Sequence, residues 1–255
     1  MRWKMGLNGK VCIVTGGGSG IGRSASLMMA EAGAKVVLVG RTVSKVEDVR
    51  DEITAAGGTA MALGLDVGDY DGVMQMAKDV LDAYGQIDVL VNNAGHSSHH
   101  RRLMTTTPDE LRGVLDSNVA GSVYCSQAVV PHMRERGEGT IINVSSMAGV
   151  NASLLAGMAY SAAKAAVINF TAFLNTELKN TGIRSSVVIP GEVDTPILDN
   201  RPIVPDGEAR DTMVTAEDAA EAIFLIANLP QRACIPELII RPTYMRDTSA
   251  EAGAA

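Results

Sequence analysis

One stretch constrains the fold more than any other: a short apolar run, Val11–Thr15 (VCIVT), that ends directly in Thr15-Gly16-Gly17-Gly18-Ser19-Gly20-Ile21-Gly22. Glycine permits turns and close backbone approaches that a Cβ forbids, so a strand can enter this segment and a helix can leave it at once. A helix starting there aims its unsatisfied amides and the positive end of its dipole into the turn. That arrangement suits an anion, and a diphosphate fits it well. Taken alone, strand–glycine turn–helix serves several nucleotide ligands.

The pattern then repeats along the chain. Lys35–Val39, Ala60–Leu65, Ile87–Val91, Thr140–Val144, Ile183–Ile189 and Glu237–Ile240 are short apolar runs, most of them without polar alternation, as expected of strands covered on both faces. Amphipathic stretches fall between them at about Ile21–Ala32, Ser44–Ala56, Tyr70–Tyr84, Pro108–Arg136, Ala159–Asn180 and Ala216–Asn228. Thr107-Pro108-Asp109-Glu110, and Thr215 followed by Glu217 and Asp218, supply helix caps and acidic first turns. Such alternation predicts an α/β fold: a Rossmann-like, doubly wound parallel sheet of seven strands in a single domain spanning residues 1–255. No linker or internal repeat divides it. Ligands in such sheets bind beyond the carboxyl ends of the strands, at the point where strand order reverses.

Composition narrows the partners. Aromatics make up 4% of the chain and hydrophobic residues 46%, so aliphatic side chains and thirteen methionines must build the core. A net charge of −7 argues against nucleic acid or an anionic membrane surface as partner. No apolar run is long enough to span a bilayer. The first ten residues, MRWKMGLNGK, lack the apolar core of a signal peptide. Cys12, Cys125 and Cys234 show no paired spacing, which fits reduced thiols and a cytoplasmic setting, with Cys12 read as a buried apolar residue of its strand.

Further motifs stand at the strand ends. Asn92-Asn93-Ala94-Gly95 follows the fourth run, Asp66-Val67 the third, and Pro190-Gly191 with Val193 and Thr195 the sixth. Together with TGGGSGIG they resemble, in order and over nearly the whole chain, the short-chain dehydrogenases/reductases. The resemblance implies an oxidoreductase that transfers a hydride between a nicotinamide cofactor and a small carbonyl or secondary alcohol. It also implies cofactor contacts from Gly16, Gly18, Ser19, Gly20, Ile21, Gly22, Asp66, Val67, Asn93, Ala94, Gly95, Tyr160, Lys164, Pro190, Gly191, Val193 and Thr195. The spacing Gly-x3-Gly-x-Gly differs from GxGxxG, although the physical demands are shared.

Cofactor choice is read after the second strand. Where an enzyme specific for NAD presents an acid to the adenosine ribose, this chain has Gly40, so no carboxylate repels a 2′-phosphate. Arg41 follows, and a guanidinium can pair with that phosphate. Arg23 adds positive charge nearby. NADP(H) is favoured, with NAD(H) as the alternative.

Tyr160 and Lys164 lie four residues apart, on one face of a helix, so phenol and ammonium project together. A free tyrosine has a pKa of about 10; a nearby cation favours the phenolate, and a large drop requires the cofactor's own charge as well. A Tyr-x3-Lys pair alone is a weak signal; its place after the fifth strand strengthens it. Ser146 resembles the family serine that holds the substrate oxygen, although it precedes Tyr160 by fourteen positions where thirteen is commonest. One extra residue in the loop between Val150 and Met158 accounts for this. Ser145 should turn away by strand alternation. Asn118 matches the helix asparagine of a proton relay, and could equally mark a kink. Asn118, Ser146, Tyr160 and Lys164 form the expected catalytic set.

Other segments are plainer. His96-Ser97-Ser98-His99-His100 reads as a pocket rim or solvated loop, and no metal is expected there. Thr195–Met213 occupies the substrate-loop position, and its mixed acids and arginines give no substrate signature. The ending Glu237–Thr243 lacks the glycine pair with which many members close. Ala162–Phe173 is apolar around most of its circumference, which suggests a homotetramer or homodimer built on this helix and Pro108–Arg136. An epimerase or dehydratase of the same fold would carry a longer C-terminal substrate region. A cofactor-binding regulator would be expected to lose Tyr160 or Lys164.

Overall fold

A computed structural model describes residues 6–254. Residues 1–5 and 255 lie outside the described residues, and with them half of the segment read above as lacking a signal-peptide core. The strands are β1 (Val11–Thr15), β2 (Lys35–Gly40), β3 (Thr59–Gly64), β4 (Val89–Asn92), β5 (Gly139–Val144), β6 (Ile183–Pro190) and β7 (Glu237–Ile240). They form one parallel sheet in the order β3-β2-β1-β4-β5-β6-β7. The order reverses between β1 and β4, so the expected ligand crevice lies beyond their carboxyl ends. The helices are α1 (Gly20–Glu31), α2 (Val43–Ala55), α3 (Tyr70–Tyr84), α4 (Pro108–Leu115), α5 (Gly121–Arg136), α6 (Met147–Val150), α7 (Met158–Glu177), α8 (Gly207–Asp211), α9 (Ala216–Ala227) and α10 (Ser249–Ala254).

Two apolar clusters, one on each face of the sheet, hold the layers together. Cys12, Val14, Val36 and Leu38 pack against α1 and α9 residues such as Met29 and Ile223. Val11, Ile13, Val37 and Val39 turn to the other face, against α3 and α5 residues such as Val80 and Val129. Cys12 is fully buried, as its place in the strand suggested. The central strands are buried along their length, whereas the edge strands β3 and β7 are half open. Among the described residues, no helix is long and apolar enough to cross a membrane.

Two sequence readings need correcting. Pro108–Arg136 is not one regular helix, because a π-turn at Asp116–Ala120 separates α4 from α5. The fourth strand runs from Val89, not Ile87; Asp88 just before it is bonded through its backbone to Val11 and Thr140, and its side chain accepts the Val11 amide at 2.7 Å. The expected caps are present: Thr107 with Glu110, and Thr215 with Asp218, each form a reciprocal capping box.

Candidate active site

The glycine turn is shaped by contacts that only glycine allows. Gly16 has φ +67°, and a Cβ there would lie 2.8 Å from Asn93 Nδ2. A Cβ at Gly22 would lie 2.3 Å from the Gly16 carbonyl oxygen, so the first turn of α1 sits directly on the loop. Asn93 braces this arrangement by donating from Nδ2 to Thr15 O at 3.0 Å, while the Asn93 and Ala94 amides donate to Thr15 Oγ1 at 3.0 Å each. Behind it, Asn92 Nδ2 donates to Asn143 Oδ1 at 2.8 Å and ties β4 to β5. The amino end of α1 differs from those of α4 and α9. Ser19 makes no side-chain cap and the first turn holds no acid. Its amides are left for an anion.

The flanks of the crevice match the expected positions. The segment after β6 crosses over the glycine turn, and a Cβ on Gly20 would lie 3.1 Å from Thr195 Cγ2. Gly191 is tied to Ile240 by a 2.8 Å backbone bond, and Val193 pairs with Val214. Beyond β2 and β3, Arg41 Nη1 lies 3.9 Å from Asp66 Oδ2, with both side chains more than half exposed. Val67 is buried beside them. Arg23 does not join this group: it pairs with Glu52 of α2 at 2.6 Å, which neutralises its charge.

Four expected residues converge at the carboxyl ends of β4 and β5. Tyr160 and Lys164 lie on the first two turns of α7, with Lys164 Nζ 5.4 Å from the Tyr160 ring centroid. Lys164 is buried and donates to Val144 O at 2.9 Å. Ser146 caps α6, accepting the Ala148 amide at 3.2 Å, and its hydroxyl lies near enough to the Tyr160 phenol to favour the ionised form. The fourteen-residue spacing therefore does not keep Ser146 from Tyr160. Ser145 turns the other way and donates to Lys164 O at 2.7 Å.

Asn118 occupies the π-turn, so it is both a kink residue and a site residue. Such bulges redirect side chains that a regular helix would misplace. Its Nδ2 donates to His96 O and Val114 O at 2.9 Å each, while Oδ1 is buried with no hydrogen-bond partner among the described residues. A Cβ on Gly95 would lie 2.3 Å from Asn118 Oδ1 and 3.4 Å from Lys164 Nζ. Gly95 thus joins the Asn-Asn-Ala-Gly loop to both residues.

Burial dominates the electrostatics. It pushes the Tyr160 phenol up to about 12, while the Ser146 hydroxyl and the charges of Arg201 and Arg101 pull in the other direction. Burial also brings the Lys164 ammonium down to about 8. Loss of solvent thus outweighs the combined pull of Ser146, Arg201 and Arg101 on the phenol. Arg101 and Arg201 were missed by sequence reasoning.

The histidines of the loop take separate polar partners, although the rings of His99 and His100 meet edge to face at 5.5 Å. His96 Nδ1 meets Ser117 Oγ at 2.9 Å, and His100 Nδ1 meets Glu110 Oε1 at 3.1 Å. Among the described residues, no group of three His, Cys, Asp or Glu side chains is placed to hold a metal.

Comparison with known proteins places the chain. Residues 10–203 match the short chain dehydrogenase family. An uncharacterized oxidoreductase of Staphylococcus aureus (strain N315) is 32% identical over 92% of this chain and 98% of its own. A metagenomic short-chain oxidoreductase solved with NADP shares 33% identity at a TM-score of 0.81, covering 94% of this chain and 99% of that one. A serine dehydrogenase in its closed form with NADP+ shares 30% identity at a TM-score of 0.85, covering 93% and 96%. The chain belongs to the short-chain dehydrogenase family. It is an oxidoreductase with the Rossmann-like fold of that family.

Proposed function

We propose that the protein transfers a hydride between NADP(H), favoured over NAD(H), and a small carbonyl or secondary alcohol. The observation that carries this reading is the placement of Tyr160 one helical turn from buried Lys164, whose Nζ lies 5.4 Å from the Tyr160 ring centroid, with Ser146 beside the phenol. The cradle fits a nicotinamide dinucleotide: tight glycines, an uncapped α1 and a braced Asn93. The pyrophosphate would rest on Gly16–Gly22 and Ser19, the adenosine on Arg41, Asp66 and Val67. The nicotinamide end would lie among Asn93, Ala94, Gly95, Pro190, Gly191, Val193 and Thr195.

When bound, the nicotinamide supplies or accepts the hydride. The protein's own residues handle the proton. Tyr160, raised by burial, stays protonated near neutrality and donates its proton to the carbonyl oxygen during reduction. Ser146 donates a hydrogen bond to the same oxygen and stabilises its developing charge. Lys164 would hold the ribose hydroxyls, and its ammonium would favour the phenolate left behind. Asn118 Oδ1, with no protein partner, supports the path by which Tyr160 is reprotonated through Lys164.

The neighbour solved with NADP and the Gly40-Arg41 pair support the cofactor preference. Incubation with NADPH and a carbonyl panel, followed at the absorbance of the reduced cofactor, should show consumption. Its failure with every member would contradict the reading.

We also propose a homotetramer, or a homodimer, of cytoplasmic location. The outward face of α7 exposes Ala162, Ala165, Ala172 and Phe173, the last at 56%. A two-fold pairing would cover this face. A light-scattering mass of a single 26.7 kDa chain would contradict it.

A further inference from the structure

Above Tyr160, the nearly buried charges do not close. Arg201, just after the 3-10 turn Pro196–Asn200, has a side chain 12% exposed. Its Nη1 donates to Glu192 Oε1 at 2.9 Å and to Glu251 Oε2 at 3.4 Å. Arg246 grips the same two carboxylates with its whole fork. Its Nε and Nη2 reach Glu192 at 2.9 and 2.8 Å, and Nη1 and Nη2 both reach Glu251. These four groups are neutral as a set, but they use Arg201 through one nitrogen. Its Nε and Nη2 donate to nothing among the described residues. Those two nitrogens form the side of a guanidinium that binds a carboxylate through two parallel hydrogen bonds.

Arg101 adds a further, uncompensated charge. It is 3% exposed and donates to Ser98 O, Leu155 O, Ser97 Oγ and Asn200 O, with no carboxylate among them. Its backbone accepts the Met158 amide at 3.0 Å, and a Cβ on Gly157 would lie 2.8 Å from its Cβ. Arg101 is therefore packed against the first turn of α7, which carries Tyr160. Both guanidiniums act on the phenol, and burial, with the nearby charge of Arg201, weakens the hold of Arg101 on its own proton. The two free nitrogens of Arg201 are not among the fully buried unpartnered atoms, so a ligand can reach them, and the Arg101 charge, which no carboxylate offsets, favours an anion there.

We propose that the open edge of Arg201, backed by the charge of Arg101, is a carboxylate subsite beside Tyr160, making the substrates hydroxy acids and the matching oxo acids. This rests on the oxidoreductase reading above and adds the substrate class. In reduction the carbonyl carbon of the oxo acid gains a hydride from NADPH, and its oxygen gains the Tyr160 proton. The products are NADP+ and a hydroxy acid whose carboxylate is unchanged.

The test compares straight-chain 2-, 3- and 4-oxo acids with their methyl esters as substrates for NADPH oxidation. The best acid should exceed its ester in kcat/KM by about a hundredfold, the worth of a bidentate charged contact. Arg201→Leu should bring that ratio close to one, and Arg201→Lys, which keeps charge but not the fork, to an intermediate value. Calorimetry on the NADP+-loaded protein gives a second readout, with butanoate binding at least about tenfold tighter than butanamide. Should Arg201→Leu fail to fold, Arg201→Lys and the wild-type calorimetry decide. Equal turnover of acids and esters by the wild type overturns the subsite and leaves the oxidoreductase reading standing. No NADPH oxidation with any acid or ester overturns that reading, and the proposal with it.

Discussion

At the amino-terminal edge of the sheet Arg184 donates through every nitrogen it has: to Thr140 Oγ1, and to the carbonyls of Pro230, Ala233, Ile226 and Leu229 at the end of α9. At the carboxyl edge Arg201 uses one nitrogen and leaves a side open. The same contrast extends to their neighbours. Asp88, buried at the first edge, accepts the Val11 amide at 2.7 Å, Arg136 at 3.0 Å, Gln86 at 2.9 Å and Lys10 at 3.3 Å. A depression of about 330 Å³ opens there, lined by Lys10, Asp88, Glu138 and Arg184, and these groups are bound to one another or to backbone. At the other edge, among the described residues, Asn118 Oδ1 has no hydrogen-bond partner, α1 has no side-chain cap, and Lys164 is buried with no carboxylate among its hydrogen-bond partners. Completed polar networks hold a fold together, whereas incomplete ones in the same interior mark where something else binds.

Substitutions at the two edges should therefore separate activity from stability. The largest effect is expected for Tyr160→Phe. Turnover should fall by about a thousandfold, within the range for loss of a general acid, with NADPH affinity and melting temperature nearly unchanged. Steady-state kinetics with a thermal melt measures both. Asp88→Ala should do the reverse. Removing the acceptor leaves the Val11 amide and the Arg136 charge buried without it, a cost of about 3 kcal/mol. For a chain of this size the melting temperature should fall by roughly 6–12 °C, while kcat per folded molecule stays within about twofold. A variant that loses kcat but keeps its melting temperature would break the comparison.

Much of this contrast was legible beforehand, and the rest was hidden for a physical reason. The glycine turn, Asn93, Tyr160 and Lys164 sit in motifs whose spacing reflects local geometry, so sequence places them. Ser146 was found despite its displaced spacing, because the loop before α7 absorbs the extra residue. Asn118 was read as a kink or relay residue, but the π form of the turn left no signal of its own, since its flanks keep helical periodicity. Arg201 was concealed in a loop of mixed charges, because its partners Glu192 and Glu251 lie 9 and 50 residues away. Arg101 follows the histidines, which drew attention to a cluster that the structure divides between separate polar partners. The burial that raises the Tyr160 phenol was not legible, because charge can be counted along a chain and burial cannot.

Smaller effects sharpen the picture. Arg41→Ala should weaken NADPH binding by about 1.5–3 kcal/mol, the worth of charged hydrogen bonds, and change NADH binding little. Fluorescence titration of both cofactors checks this, and equal losses for the two would remove Arg41 from phosphate recognition. Thr215→Ala opens the capping box of α9 and should cost about 1 kcal/mol in unfolding free energy. Ser19→Ala, where no cap exists, should leave unfolding unchanged and reduce cofactor affinity. Denaturant titrations of the pair compare a helix end already satisfied with one left for a ligand.

The central claim is that the incomplete edge passes a hydride between the cofactor and a carbonyl carbon, with Tyr160 providing the proton. NADPH deuterated at the transferred C4 position, incubated with an oxo-acid panel, tests it most directly by mass spectrometry of the product. The account predicts one deuterium on the new carbinol carbon with the wild type and almost none with Tyr160→Phe. Product without the label, or undiminished labelling by the variant, would contradict it.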